Sequence, residues 1–122
     1  MKSVKVKTQE EIEYAHNLAR LKKMVEVFKA FGDLTRLQLI GLLTGSKEKS
    51  FCVNELAQKL SVTQSAISQH LKILKAIGLV QPNRVGCHKY YTIDVAMLNE
   101  IKDDFNYLYS LAFCRCENIQ GE

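Results

Sequence analysis

The chain has 122 residues, enough for one domain with a single modest core, and 47% of them are apolar, which excludes an intrinsically disordered chain. No run approaches the roughly 18 uninterrupted apolar residues of a membrane span, and the opening MKSVKVKTQE lacks the apolar stretch of a secretory signal, so a cytoplasmic location without membrane contact is expected. Seventeen Lys+Arg against 13 Asp+Glu leave a net charge of +4, compatible with a polyanionic partner without requiring one, and four cysteines in such a chain read as thiols, metal ligands or redox groups rather than a disulfide frame.

Residues 1–9 alternate Lys with Val and Ser and read as a flexible basic arm. Residues 10–113 form the folded domain, and 114–122 a cysteine-containing tail. Tyr14, Leu18, Leu21, Val25 and Phe28 are spaced 4, 3, 4, 3, a helical stripe. So long a first helix has little of its own domain to pack on, and part of its stripe is expected to serve a partner subunit. Gly32 closes it, and Asp33 caps a second helix over Leu34–Leu43, with Leu34, Leu37, Ile40 and Leu43 taken as its inner face. Gly45–Ser50 is a polar loop. Val53–Leu60 is a short helix with Leu56, Ala57 and Leu60 inward, and Ser61–Val62 is a tight connection.

The stretch Val62–Lys75 organises the rest. Thr63 is an N-cap candidate, and Ile67, Leu71 and Leu74 fall at i, i+4, i+7 on one apolar face. Gln64, Ser65, Ser68 and Gln69 look outward from the first turns. They are hydrogen-bonding side chains able to reach base edges, a Gln amide pairing with adenine. Lys72 and Lys75 come next, at heights suited to phosphate oxygens. Periodicity alone favours the blander reading of a solvated polar face; the segment beyond Lys75 shifts the balance. Gly78 ends the helix, Leu79–Arg84 and His88–Ile93 read as strands, and Val85–Cys87 is the turn between them. A short helix, a turn, a polar-tipped second helix and then a hairpin make a winged helix-turn-helix. Arg84, His88 and Lys89 flank the wing tip, placed for phosphates or the minor groove. Asp94 can cap a last helix, whose Leu98, Ile101, Phe105, Leu108 and Ala112 form a seam too short for a long coiled coil but suited to a dimer contact. The fold class is thus mainly α with one small hairpin, in the order four helices, two strands, one helix.

With these pieces placed, the chain resembles the ArsR/SmtB family of winged-helix repressors. The matching residues are FGDLTRLQLIGLL (31–43), FCVNELAQKLSVTQSAISQHLKILKAIGLV (51–80) and HKYYTID (88–94). The resemblance implies a homodimer on a palindromic operator in double-stranded DNA, one recognition helix per half-site. It also implies release on binding an inducer: a metal ion, a metalloid, or reactive sulfur and oxidants acting on thiols.

The family's usual inducer sites are only partly present. Cys52 begins Cys52-Val53-Asn54-Glu55-Leu56, where many members carry a C-V-C-D-L motif, so Asn54 replaces the second thiol. The acid/imidazole pair at the start of the last helix aligns with Val95 and Met97, neither a zinc ligand. What remains is Cys52 with Cys114-Arg115-Cys116. Residues i and i+2 of an intact helix lie about 200° apart, so the last two thiols can share an ion only where the helix has frayed. Three thiolates suit a soft guest: arsenite first, then antimonite, cadmium or lead. No obligatory cofactor is expected. A disulfide or polysulfide link from Cys52 to Cys114 or Cys116 is the rival, redox reading, and Cys52 as a small buried hydrophobe the plainest one. Cys87, at the wing tip, lies apart. His16, His70 and His88 are scattered, His70 reading as structural or DNA-facing. No nucleophile–base pair, phosphate loop or hydrolase metal spacing points to an enzyme. A winged helix serving as a protein-interaction module is the remaining alternative.

Overall fold

The computed structural model describes residues 8–45 and 50–120, with side chains as far as residue 112. The elements are α1 (Gln9–Phe31), α2 (Leu34–Gly45), α3 (Val53–Leu60), α4 (Gln64–Ala76), β1 (Val80–Val85), β2 (His88–Ile93) and α5 (Val95–Gln120). The expected order of elements is the observed one.

Local chemistry sets the helix starts. The Glu11 N–H donates to Thr8 Oγ1 at 3.2 Å while the Thr8 N–H donates to the Glu11 carboxylate at 3.3 Å, a reciprocal cap that starts α1 at Gln9, inside the segment expected as an arm. The remainder of that arm, residues 1–7, lies outside the described residues. Asp33 accepts from the Arg36 N–H at 3.1 Å, and Asp94 from the Met97 N–H at 3.0 Å, so both serve as the caps anticipated. At the other end α5 runs on to Gln120, so the backbone is helical through Cys114 and Cys116 instead of fraying before them.

One inner face differs from expectation, and one apolar stripe lies open. In α2 the buried residues are Leu39 and Leu43, whereas Leu34 and Leu37 are exposed. Four residues at successive i+3 steps fall back about 60° each time and wind round the helix, while an i, i+4 pair stays nearly in line. In α1 the protomer covers Met24, Val27 and Ala30; Tyr14, Leu18, Val25 and Phe28 face outward.

The core gathers Leu39, Leu56, Ile67, Leu71, Leu74, Leu79 and Val80 around Phe51, which the sequence had placed beside a loop. Phe51 and Tyr91 exchange backbone hydrogen bonds at 3.3 and 2.8 Å, so Phe51 acts as a one-residue third strand beside β2, with its ring fully buried in the core. Burying a side chain of this size contributes roughly 1.5–3 kcal/mol. β1 and β2 pair antiparallel from Val80–Ile93 to Val85–His88, closed by a Gly86-Cys87 turn in which Gly86 takes φ +65°. A first turn residue with positive φ matches the twist of a two-residue hairpin. Gly78, at φ +79°, turns the chain from α4 into β1, and a Cβ there would stand 3.1 Å from Met97 Cε.

α5 is bound to α1 by charge as well as by rings. Arg20 Nε donates to the buried Asp104 at 2.8 Å, and its guanidinium lies 4.3 Å from the centre of the Tyr107 ring. Lys23 reaches both Glu100 and Asp104. Partial burial lowers the proton affinity of Lys23, but its hydrogen bond to Glu100 and the two carboxylate charges outweigh that and raise its pKa above the usual lysine value. Phe28 and Phe105 stack at 5.2 Å between centroids.

Candidate nucleic-acid interface

α3 and α4 are joined by Ser61–Thr63. Ser61 takes the left-handed conformation at φ 55°, and the Val62 N–H returns to Ala57 O at 3.1 Å, which ends α3 within one residue. Thr63 then caps α4, its Oγ1 accepting from the Ala66 N–H at 3.0 Å. Ile67, Leu71 and Leu74 are buried, which pins the rotation of α4 about its axis. Gln64, Ser65, Ser68, Gln69, Lys72 and Lys75 are all exposed. At about 100° per residue these six occupy one arc of roughly 140°, next to the buried one. The polar face is therefore contiguous and held rigidly by the core beneath it.

The wing carries the remaining predicted residues. Arg84 pairs directly with Lys89, and Val85 with His88, so the two cations share one face of the hairpin and His88 lies on the other. All three predicted side chains are exposed. Like charges set directly opposite each other are destabilising in an isolated hairpin; a phosphate backbone would offset that repulsion. Lys89 Nζ also lies 5.5 Å from the Tyr91 ring centre.

Two supporting interactions had no separate signal in the sequence. Arg36, from the D-x-T-R-L segment, donates through Nε to Ala30 O at 2.6 Å and through Nη2 to Lys29 O at 3.4 Å. Its Nη1 lies 3.2 Å from His70 Nδ1. A guanidinium can only donate, so Nδ1 accepts and the His70 proton sits on Nε2. One arginine thus joins the end of α1, the start of α2 and the middle of α4, and of its two expected roles His70 fills the structural one. The Arg36 backbone N–H holds the Asp33 carboxyl below its ordinary pKa, with the Arg36 guanidinium adding its charge. The second interaction joins the tips of α3 and α4: Gln64 Nε2 donates to Asn54 Oδ1 at 3.0 Å. In the sequence Asn54 stands out only as the residue that replaces the family motif's second thiol.

The cysteines are distributed along the chain. Cys52 is half-buried at the head of α3, where its backbone N–H donates to the Glu55 carboxylate at 3.1 Å. That N–H, together with the Cys52 thiol, holds the Glu55 pKa below its usual value. Cys87 is exposed in the wing turn. The side chains of Cys114 and Cys116 lie outside the described residues. Among the described residues no three His, Cys, Asp or Glu side chains cluster as a metal site, and no helix is long and apolar enough to cross a membrane.

Residues 33–81, which span α2 through the start of β1, match the family described as bacterial regulatory protein, arsR family. An uncharacterized HTH-type transcriptional regulator of Methanocaldococcus jannaschii, MJ1325, is 38% identical over 84 residues, 69% of this chain and 92% of the relative. The transcriptional repressor SdpR of Bacillus subtilis is 31% identical over 85 residues, 70% of this chain and 88% of its own. Among solved structures, the homodimeric winged helix-turn-helix DNA-binding domain of Mb0332 from Mycobacterium bovis superposes with a TM-score of 0.59 at 26% identity, covering 84% of this chain and 89% of that one. Motifs, fold and likenesses agree: the chain belongs to the arsR family of winged helix-turn-helix proteins, which are DNA-binding transcriptional regulators and not enzymes.

Proposed function

We propose that this protein is a homodimeric repressor that grips a palindromic operator with α4 and the wing, and lets go when a thiophilic inducer ties Cys52 to Cys114 and Cys116. The observation that carries the DNA-binding half is the contiguous polar arc of α4, oriented by three buried residues, with exposed Arg84 and Lys89 paired on the wing. Gln64, Ser65, Ser68 and Gln69 read base edges; Lys72, Arg84, His88 and Lys89 hold the phosphates. The exposed stripe of α1 supports a twofold mate, as does the homodimeric state of the Mb0332 domain. Repression is argued by likeness to the relative SdpR.

The inducer half rests on thiol chemistry. Cys52 sits next to Phe51, hence next to β2, whose end leads into α5. At 1.5 Å per residue, Cys114 is about 28 Å along α5 from Val95. A site that combines these thiols would bring Cys52 of one protomer to the α5 end of the other, and the last turn of α5, helical through Cys114 and Cys116, would have to open for both thiols to turn toward one ion. Three thiolates match the pyramidal coordination of arsenite or antimonite, and cadmium or lead also accept sulfur sets. Pulling on the head of α3 displaces α4 through the short Ser61 turn. A coupling of about 3 kcal/mol lowers operator affinity roughly a hundredfold.

The test uses reduced protein and a labelled palindromic duplex selected by that protein from a random library. Arsenite, antimonite, cadmium, lead and a persulfide donor are titrated in turn. Arsenite is expected to release the duplex from the parent protein but not from a variant carrying Cys114→Ser and Cys116→Ser, which binds DNA normally. Release that survives both changes overturns the C-terminal site, and release by persulfide alone replaces the metalloid with a redox signal. In the same assay Gln64→Ala with Ser68→Ala weakens the selected duplex more than random DNA; equal loss on both counts against base readout. Affinity that does not fall with salt would point to a protein partner instead.

A further inference from the structure

Asn54 stands on the first turn of α3, and Gln64 is the first residue of α4. Their side chains meet at 3.0 Å, Nε2 of Gln64 donating to Oδ1 of Asn54. Both residues are exposed, so core packing does not impose the contact. The left-handed Ser61 and the Val62–Ala57 hydrogen bond fix the backbones from which the two side chains reach. An exposed bond between two neutral amides adds little to stability, because water competes for both groups. Its consequence is orientation. A Gln amide has two N–H donors and one carbonyl oxygen. With one N–H given to Asn54, the other N–H and Oε1 are left as a defined edge. Adenine takes such an edge through N7 and N6–H2 in the major groove. Without Asn54, the amide of Gln64 rotates and its two ends exchange, so the same side chain meets other base pairs nearly as well.

We infer that Asn54 is a positioning residue for base readout: it holds Gln64 in the sense that selects an A·T pair in each half-site. This rests on the reading of α4 as the base-reading element. It assigns a role to the position where the family's second thiol is missing, and it makes the turn beginning at Cys52 part of the specificity apparatus. Ordering a flexible side chain before binding also removes part of the cost of fixing it on DNA.

The experiment uses the full-length reduced protein without inducer, at one salt concentration, and the selected palindrome with all four base pairs substituted symmetrically at each half-site position. Asn54→Ala is expected to reduce discrimination about five- to tenfold at one A·T position. That position is the one Gln64→Ala relaxes. Binding to random DNA, its salt dependence and the thermal midpoint stay at parental values, and Asn54→Ala with Gln64→Ala is no worse than Gln64→Ala alone. Asn54→Asp keeps an acceptor oxygen and keeps the A·T preference, with lower affinity on every duplex from its added charge. The inference is overturned if Asn54→Ala retains the parental preference, if it lowers affinity equally on all duplexes, or if the two substitutions add. If Gln64→Ala itself leaves every preference unchanged, base readout by α4 falls and the role of Asn54 falls with it.

Discussion

α4 and α1 carry apolar stripes of similar regularity and use them in opposite ways. In α4, Ile67, Leu71 and Leu74 are 0%, 1% and 0% exposed, sealed by the protomer's own core. In α1, Tyr14, Val25 and Phe28 remain 70%, 49% and 47% exposed, although their spacing is as helical. Periodicity reports that a helix has an apolar side; it does not report whose core that side enters. A helix presented to DNA must hold its polar arc at a fixed angle, so its underside is completed within one chain. A helix that joins two chains must leave its stripe open until the partner arrives.

The largest test of this contrast is Ile67→Ala. Emptying a fully buried position costs about 2–5 kcal/mol through lost transfer energy and the cavity left behind. The loss, read by chemical denaturation, is expected to be the same in the parent protein and in a variant already made monomeric. A loss seen only in the dimer would mean that α4 also relies on the second chain.

A smaller effect is expected on α1. Tyr14→Asp with Val25→Asp places charge on the open stripe without touching the protomer core. The dimer dissociation constant, measured by sedimentation, should rise at least about thirtyfold, equivalent to roughly 2 kcal/mol. Helix content of the separated chains should match the parent's. Unfolding of the separated chain would show that the stripe belongs to the protomer after all, and unchanged association would remove α1 from the dimer contact.

What the sequence made legible was mostly local. Thr63, Asp33 and Asp94 were readable as caps because a capping side chain answers N–H groups two or three residues away. The spans of α3 and β2 and the Gly86 turn were readable for the same reason. What escaped notice acts over distance. Phe51 enters the core because Tyr91, forty residues on, offers it a backbone partner. Arg36 finds His70 across 34 positions and Asn54 finds Gln64 across ten, each through a turn geometry no residue pattern spells out. Leu34 and Leu37 were misassigned because three-residue spacing drifts round a helix. The exposed polar residues of α4 were legible as a group, since the i, i+4, i+7 burial of Ile67, Leu71 and Leu74 dictates which side chains are left outside. Their support from Asn54 and Arg36 was not.

The smallest effect concerns Asp33, which sits where the two regions join. Its carboxylate caps α2 and faces Arg36, which is bonded back to the end of α1, and His70, which stands on α4. The Arg36 N–H and the charge of the Arg36 guanidinium hold its pKa below the ordinary value of 3.8. A carboxyl whose pKa is lower in the folded chain binds fewer protons there than in the unfolded one. Its contribution is therefore complete above the ordinary value and is lost as pH falls through the lower, folded value. Asp33→Asn keeps an equally good cap but cannot titrate. The variant is expected to match the parent near neutrality and to show a shallower loss of stability on acidification, followed by the unfolding midpoint at successive pH values. Glu55, lowered first by the Cys52 N–H, keeps its own share of the acid slope in both proteins. An acid limb unchanged by Asp33→Asn would mean that the junction of α1, α2 and α4 is held by Arg36 and its carbonyl partners alone.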